Sequence, residues 1–258
     1  MTYPIENKLV VGISSNALFD LRKEDEIYMK DGLEAYRKYQ VDHKNDILEK
    51  GAAFMSGDSA IDYIPAFNIS LFLATNEKDV REALNSGKPA GRILQTDVLD
   101  DETTELRVAF DFDGVIANDE SEKVYQESGL EVYRDYEKQH CTEQLKAGPL
   151  NDFFTKLSLL QKLESKKKQE DNGYKKILKT AIITARNAPT HERAVNTLNS
   201  WGVDVDEMFL LGGIAKSRIL NVMKPHLYFD DQMTHLDDSD IKGIPLVHIP
   251  FGITNEVK

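Results

Sequence analysis

Apolar and polar positions alternate in blocks along the chain. Seven short apolar runs stand out: LVVGIS (9–14), ISLFLA (69–74), LRVAFDF (106–112), ILKTAIIT (177–184), EMFLL (207–211), HLYFD (226–230) and PLVHI (245–249). They are nearly continuous rather than strictly alternating, the pattern of strands covered on both faces, and helical patterns separate most of them. The expectation is an α/β protein with a mainly parallel sheet. One helix is well marked: in PTHERAVNTLNSWG, Pro189 suits a first turn, Ala194, Leu198 and Trp201 share a face, and Gly202 is a C-terminal stop.

The stretch 119–176 departs from this rhythm. It is charged and helical in pattern (SEKVYQESGLEVYRDYEKQ, then GPLNDFFTKLSLLQKLE), and it is far longer than the ~2–6 residues of an ordinary loop plus one helix. It reads as a small helical cap inserted in a core spanning 106–258. SKKKQEDNGYKK at its end reads as a solvated turn. Residues 1–105 read as an α/β extension packing on that core, with GKPAG and then TDVLDDETTE (96–105) as polar connection and a boundary near 105.

Composition narrows the function classes. With 258 residues the chain can bury a substantial core. Its net charge of −12 argues against a nucleic-acid polymer as partner, because such binding needs lysine and arginine to neutralise phosphates. No apolar run approaches the ~18 residues of a bilayer span, and the first residues carry no basic segment with a cleavage site, so a soluble cytoplasmic protein is expected. The single cysteine, Cys141, cannot form an intrachain disulfide and reads as a structural thiol.

The chemistry starts at LRVAFDFDGV. Side chains two apart on an extended chain point the same way, so Asp111 and Asp113 project together beyond the strand, and Gly114 lets the backbone turn close to a ligand. Open α/β sheets bind ligands at that edge. Three further features follow in order. Thr184 ends the next strand, and its hydroxyl, with the turn amides of Ala185 and Arg186 and the Arg186 charge, suits phosphate oxygens. Lys216 follows a Gly-Gly turn at a helix start, where the macrodipole disfavours positive charge. Asp230 and Asp231 abut at the end of another apolar strand and suit a hard dication with oxygen ligands. Two carboxylates about 4 Å apart repel by roughly 4 kcal/mol at an effective dielectric near 20, so these acids gather only around positive charge. The histidines show no metal-ligand spacing; His235 reads as a hydrogen-bond partner of the aspartate pair. SSNALFDL (14–21) carries Asp20 after an apolar run with no acid two residues earlier, and reads as structural.

The ordered set Asp111-x-Asp113, Thr184, Lys216 and Asp230-Asp231 resembles the signature of the haloacid dehalogenase superfamily of phosphotransferases. More narrowly, SSNALFDL, RVAFDFDGVIANDESEKV (107–124), GPLNDF, ITARNA, LNSWGVDVDEMFLLGG, PHLYFDDQMTH and HIPFGI resemble the cytosolic 5′-nucleotidase type I family over nearly the whole chain. Two departures accompany the likeness. The chain lacks much of what family members carry between GAAF (51–54) and SGDSAIDY (56–63), and it has Phe112 and Gly114 where members have a glycine and a small residue.

That resemblance implies a Rossmann-like haloacid dehalogenase core and a Mg²⁺-dependent hydrolysis of nucleoside 5′-monophosphates such as AMP. It implies Asp111 as nucleophile through an aspartyl-phosphate and Asp113 as proton donor to the leaving oxygen, kept protonated by its acidic neighbours. Thr184 and Lys216 stabilise the phosphoryl group. It also implies metal ligands at Asp111, the Asp113 carbonyl and Asp230, with Asp231 either a further ligand or a partner of one. Asn118, Asp119, Glu120 and Ser121 are the expected specificity residues, with Tyr125, Tyr133 and Phe154 as cap aromatics able to stack on a base. The competing readings are a phosphatase of the same superfamily for a sugar phosphate or other small ester, and a non-catalytic nucleotide-binding protein.

Overall fold

The computed structural model describes residues 8–14, 17, 22–42, 61–94 and 102–256. Asp20, the 51–60 stretch and residues 95–101 of the polar connection lie outside the described residues. All seven apolar runs form strands: β1 (Val10–Ile13), β2 (Ile69–Ala74), β4 (Leu106–Phe110), β5 (Leu178–Thr184), β6 (Glu207–Leu210), β7 (Leu227–Asp230) and β8 (Leu246–His248). An eighth strand, β3 (Ala90–Ile93), lies where a polar connection was expected. Its sequence, AGRI, has too little apolar bulk to show. Gly91 explains why: a Cβ there would lie 2.3 Å from Cγ1 of Val247 on β8, so only a residue without a side chain lets the two strands pair.

The strands form one sheet in the order β1-β2-β3-β8-β7-β4-β5-β6. Every pairing is parallel except β3–β8, where the direction reverses with Arg92 opposite His248 and Ile93 opposite Val247. The extension therefore continues the core's sheet instead of resting on it. The helices of the described residues are α1 (Arg22–Asp42), α2 (Glu77–Asn85), α3 (Glu120–Gln139), α4 (Asn151–Glu170), α5 (His191–Trp201), α6 (Ser217–Met223) and α7 (Met233–Leu236). Helix α5 ends as its sequence indicates, on Gly202 in the left-handed conformation (φ 63°).

Both sheet faces are covered, as the unbroken apolar runs require. Phe110, Ile182 and Phe229 face Phe153, Phe154 and Leu157 of α4 and Leu198 of α5. Their strand neighbours Ala109, Ile183 and Tyr228 face Leu220 of α6 and Leu236 of α7. The stretch 119–176 thus divides in two. Helix α3 lies outside the sandwich, whereas α4 is a sheet-covering helix of the core. Phe154, expected among cap aromatics, is fully buried, its ring edge-on to Phe110 at 5.3 Å. Burial there leaves no route to a nucleobase. Phe154→Ala should cost about 3–5 kcal/mol, the range for emptying a buried aromatic site; the midpoint of urea unfolding checks it, and a loss under about 1 kcal/mol would contradict this packing.

Candidate active site

Strand register assembles the acids. Phe110 stands opposite both Phe229 on β7 and Ile182 on β5, so the residues that follow, Asp111 and Asp230, emerge side by side with Thr184 at the same edge. The Asp111 amide donates to the Phe229 carbonyl at 2.7 Å and fixes that level. Lys216, the residue preceding α6, reaches back between them: its Nζ is 2.7 Å from Oδ2 of Asp111 and 2.8 Å from Oδ2 of Asp230. All three are buried. Burial alone would lower the Lys216 pKa, but Asp111 and then Asp230 hold it above its ordinary value. The lysine that looked misplaced at a helix start is the counter-ion of the acid pair.

The two aspartates respond differently to the same ammonium. Asp230 also accepts from the Tyr228 hydroxyl at 2.5 Å, from the Gln232 amide at 2.9 Å and from Nδ1 of His235, 3.2 Å from each of its oxygens. Burial opposes its charge, yet Lys216 first and then His235 keep its pKa below the usual carboxylate range. Asp111 has fewer donors: Lys216 on one oxygen and the Phe112 amide at 2.7 Å on the other. Burial, opposed by Lys216 and reinforced by Asp230, pushes it up to about 6.

Asp231 is the least compensated acid. One oxygen accepts from the Thr254 hydroxyl at 2.9 Å, and the other, Oδ1, is buried without a partner. Burial, then Asp111 and Asp230, push its pKa up to about 9. Gly114 lies directly against it: with φ 74°, a Cβ at 114 would be 2.6 Å from the Asp231 carboxyl. The acid pair at 230–231 therefore converges on the Asp111–Gly114 turn. An orphaned carboxylate oxygen in an oxygen-rich acidic cluster fits a hard dication. Oxygens of Asp111 and Asp230 and a ring nitrogen of His235 also lie within 4.8 Å of one another. Asp230, expected as the direct ligand, already has four donor groups around it, and Asp231 is the one with an oxygen left over.

Asp113 and Arg186 differ most from expectation. Nε and Nη2 of Arg186 each donate to an Asp113 oxygen at 2.7 Å, a two-pronged pair. Nη2 also donates to Oγ of Ser121 at 2.8 Å, and Nη1 donates to Glu137 and, at 2.8 Å, to the Thr190 carbonyl. A guanidinium has five N–H groups, and all are used. Arg186, expected to face a phosphate, has none to spare in this arrangement and braces Asp113 instead. The direct partner of Asp113 is thus a cation, while Asp111 lies close enough for the two acids to repel each other.

The expected specificity residues are also mostly engaged. Asp119 accepts from the Ile253 amide at 2.8 Å and anchors the C-terminal turn. Glu120 accepts from Arg193 at 2.7 Å, and Ser121 donates to Glu137 at 2.8 Å. Asn118 donates to Glu120, while its buried Oδ1 has no partner, an acceptor aimed at nothing in the chain. Thr184 is buried at the strand end with its Oγ1 accepting from the Arg186 amide at 3.2 Å, and Ala185 beside it is exposed. Tyr133 lies near Asp113 and Arg186, its hydroxyl pushed up to about 12 by burial, and Tyr125 packs edge-on against it at 5.9 Å.

Sequence reasoning missed four contributors. Glu137 and Arg193 belong to the ion network around Arg186. Thr254 and Asn255 hold Asp231, the latter donating to its carbonyl at 2.8 Å. Their partners in the site lie between 16 and 73 residues away, and no local pattern marks such a pair.

A family model described as 5′-nucleotidase matches residues 1–55 and 50–256. The two matched segments meet near 50–55, where the chain was expected to be shorter than its relatives. Human cytosolic 5′-nucleotidase 1B is similar to this chain, 28% identical over 298 aligned positions that cover 92% of the chain and 48% of the human protein. The chain thus spans about half the length of that curated relative. Among the described residues, no helix is long and apolar enough to cross a membrane.

Proposed function

Because the chain belongs to the 5′-nucleotidase family, we propose that it hydrolyses nucleoside 5′-monophosphates, AMP among them, to nucleoside and phosphate. The observation that carries the reading is the Lys216 ammonium wedged between Asp111 and Asp230, with the uncompensated Asp231 carboxylate beside them. Nothing structural requires three buried acids at one sheet edge, and their mutual repulsion makes the cluster costly without a ligand.

In this reading Asp111 attacks phosphorus to form an aspartyl-phosphate, with Lys216 holding its attacking carboxylate and facing the charge that develops on the phosphoryl oxygens. Thr184 meets those oxygens with its hydroxyl hydrogen at the end of β5, since the Arg186 amide that follows is already spent on the Thr184 oxygen. Mg²⁺ fits the oxygen-rich set, held by Asp111, Asp231 and Asp230 with the Asp113 carbonyl, and when bound it supplies Lewis-acid stabilisation of the phosphoryl charge. Asp113 passes a proton to the 5′-oxygen and then takes one from the attacking water. Both its oxygens accept from Arg186, so the oxygen that carries the proton keeps its Arg186 contact only through its remaining lone pair. Asn118 offers its unpartnered Oδ1 to a donor on the substrate, and Tyr133 and Tyr125 stand on α3 nearby. The N-terminal departures leave the choice of base and sugar to experiment.

A panel of phosphomonoesters assayed with and without Mg²⁺ tests this. Nucleoside monophosphates should turn over, and chelation should lower the rate by about 1000-fold, since the cation contributes several kcal/mol of charge stabilisation. Turnover of sugar phosphates with none of nucleotides would replace this reading with the sugar-phosphatase alternative. Unchanged turnover in chelator would remove the metal from it.

A further inference from the structure

Helix α3 breaks at Gly129 (φ 82°), and its two limbs, one carrying Ser121 and the other Glu137, are held together in an unusual way. Its only buried side chains among the described residues are Ser121 and Glu137, both polar, and both bond to Arg186. A helix lying on a protein is ordinarily seated by an apolar stripe. Here the seat is a line of alternating charge: Asp113, Arg186, Glu137, Arg193, Glu120. Glu137 stands at its centre, fully buried, with one oxygen accepting from Arg186 and the other from Arg193 at 2.9 Å and from the Ser121 hydroxyl. Along this line Asp113 is joined to α3 through Arg186, with Tyr133 of the same helix also near it. A side chain that grips one end of a fully bonded guanidinium fixes where its other end points.

We propose that Glu137 is a positioning residue for Asp113, acting through Arg186, so that the seating of α3 sets where the Asp113 carboxyl meets the leaving oxygen. The proposal rests on the reading of Asp113 as the proton donor. It makes α3 more than a cover: a substrate that shifts the helix also shifts the acid. Ser121 shares the task, because its hydroxyl accepts from Arg186 while donating to Glu137.

A leaving-group comparison separates positioning from general damage. A nucleoside leaves as an alkoxide and needs a proton; p-nitrophenol leaves as a stable anion and does not. For Glu137→Gln, kcat on a nucleoside monophosphate should fall about 10- to 100-fold with KM changed less than about 3-fold, while kcat on p-nitrophenyl phosphate falls less than about 3-fold. Asp113→Asn sets the full size of that selective loss. Ser121→Ala keeps every charge and should show the same bias at about 3- to 10-fold, and it decides the matter if Glu137→Gln does not fold. Equal losses on the two substrates in Ser121→Ala and in any folded Glu137→Gln protein overturn the proposal and leave the nucleotidase reading intact. If the parent cleaves other alkyl phosphates but no nucleotide, the functional reading fails, and the same ratio taken on that alkyl phosphate still decides the role of Glu137.

Discussion

Asp111→Asn is expected to abolish turnover while the protein stays folded. The amide matches the carboxyl in shape, so the buried site keeps its packing, and the Phe112 amide can still donate to the side-chain oxygen. Charge changes in both directions. Lys216 loses one of its two partners, whereas Asp230 and Asp231 lose a neighbour that repels them. These effects oppose each other, so the melting temperature should move by only a few degrees. The chemical effect has no such offset: without a carboxylate no aspartyl-phosphate forms, and the loss should reach at least about 10⁴-fold, the scale seen when a nucleophile is deleted. Acid quenching during turnover should trap labelled phosphate on the parent protein and none on the variant. Turnover within about ten-fold of the parent would exclude Asp111 as nucleophile.

Lys216→Met is the second large effect, and it strikes stability as well as rate. The methionine fills much of the same space but leaves Asp111 and Asp230 buried without the ammonium that both contact at under 3 Å. Removing one partner of a buried ion pair costs about 3–5 kcal/mol, because the charge left behind has neither water nor a counter-ion. For a chain of this size that corresponds to a fall of roughly 6–20 °C in melting temperature. In the proposed mechanism Lys216 faces the phosphoryl oxygens, so turnover should also fall about 1000-fold. Lys216→Arg should not rescue, because a forked guanidinium does not fit a slot sized for one nitrogen between two carboxylates. A variant that melts within about 2 °C of the parent would show that the cluster does not depend on the lysine.

The contrast between these acids and the rest of the site shows which features a sequence exposes. Asp111 and the pair at 230–231 were legible because each ends an apolar run, where charge has no structural reason to be. Thr184 and Lys216 were legible by their order between them. The same logic failed for β3, whose Gly91 has no side chain because Val247 occupies the space above it. It failed for α4, since a core helix and a cap helix carry the same periodicity and differ only in what they face. Arg186 was misjudged for a related reason. Its charge was visible, but its partners at 113, 121, 137 and 190 come from three separate elements, and only the folded chain shows that they use every N–H it has.

The reversal of direction between β3 and β8 has a further consequence. His248 is one of two β8 residues on that border, opposite Arg92, and its Nε2 donates to the Asp231 carbonyl at 3.1 Å. A single imidazole therefore connects the amino-terminal half of the sheet to the backbone of the most exacting acid in the protein. A substitution at that boundary thus reaches the Asp231 backbone without touching its carboxyl.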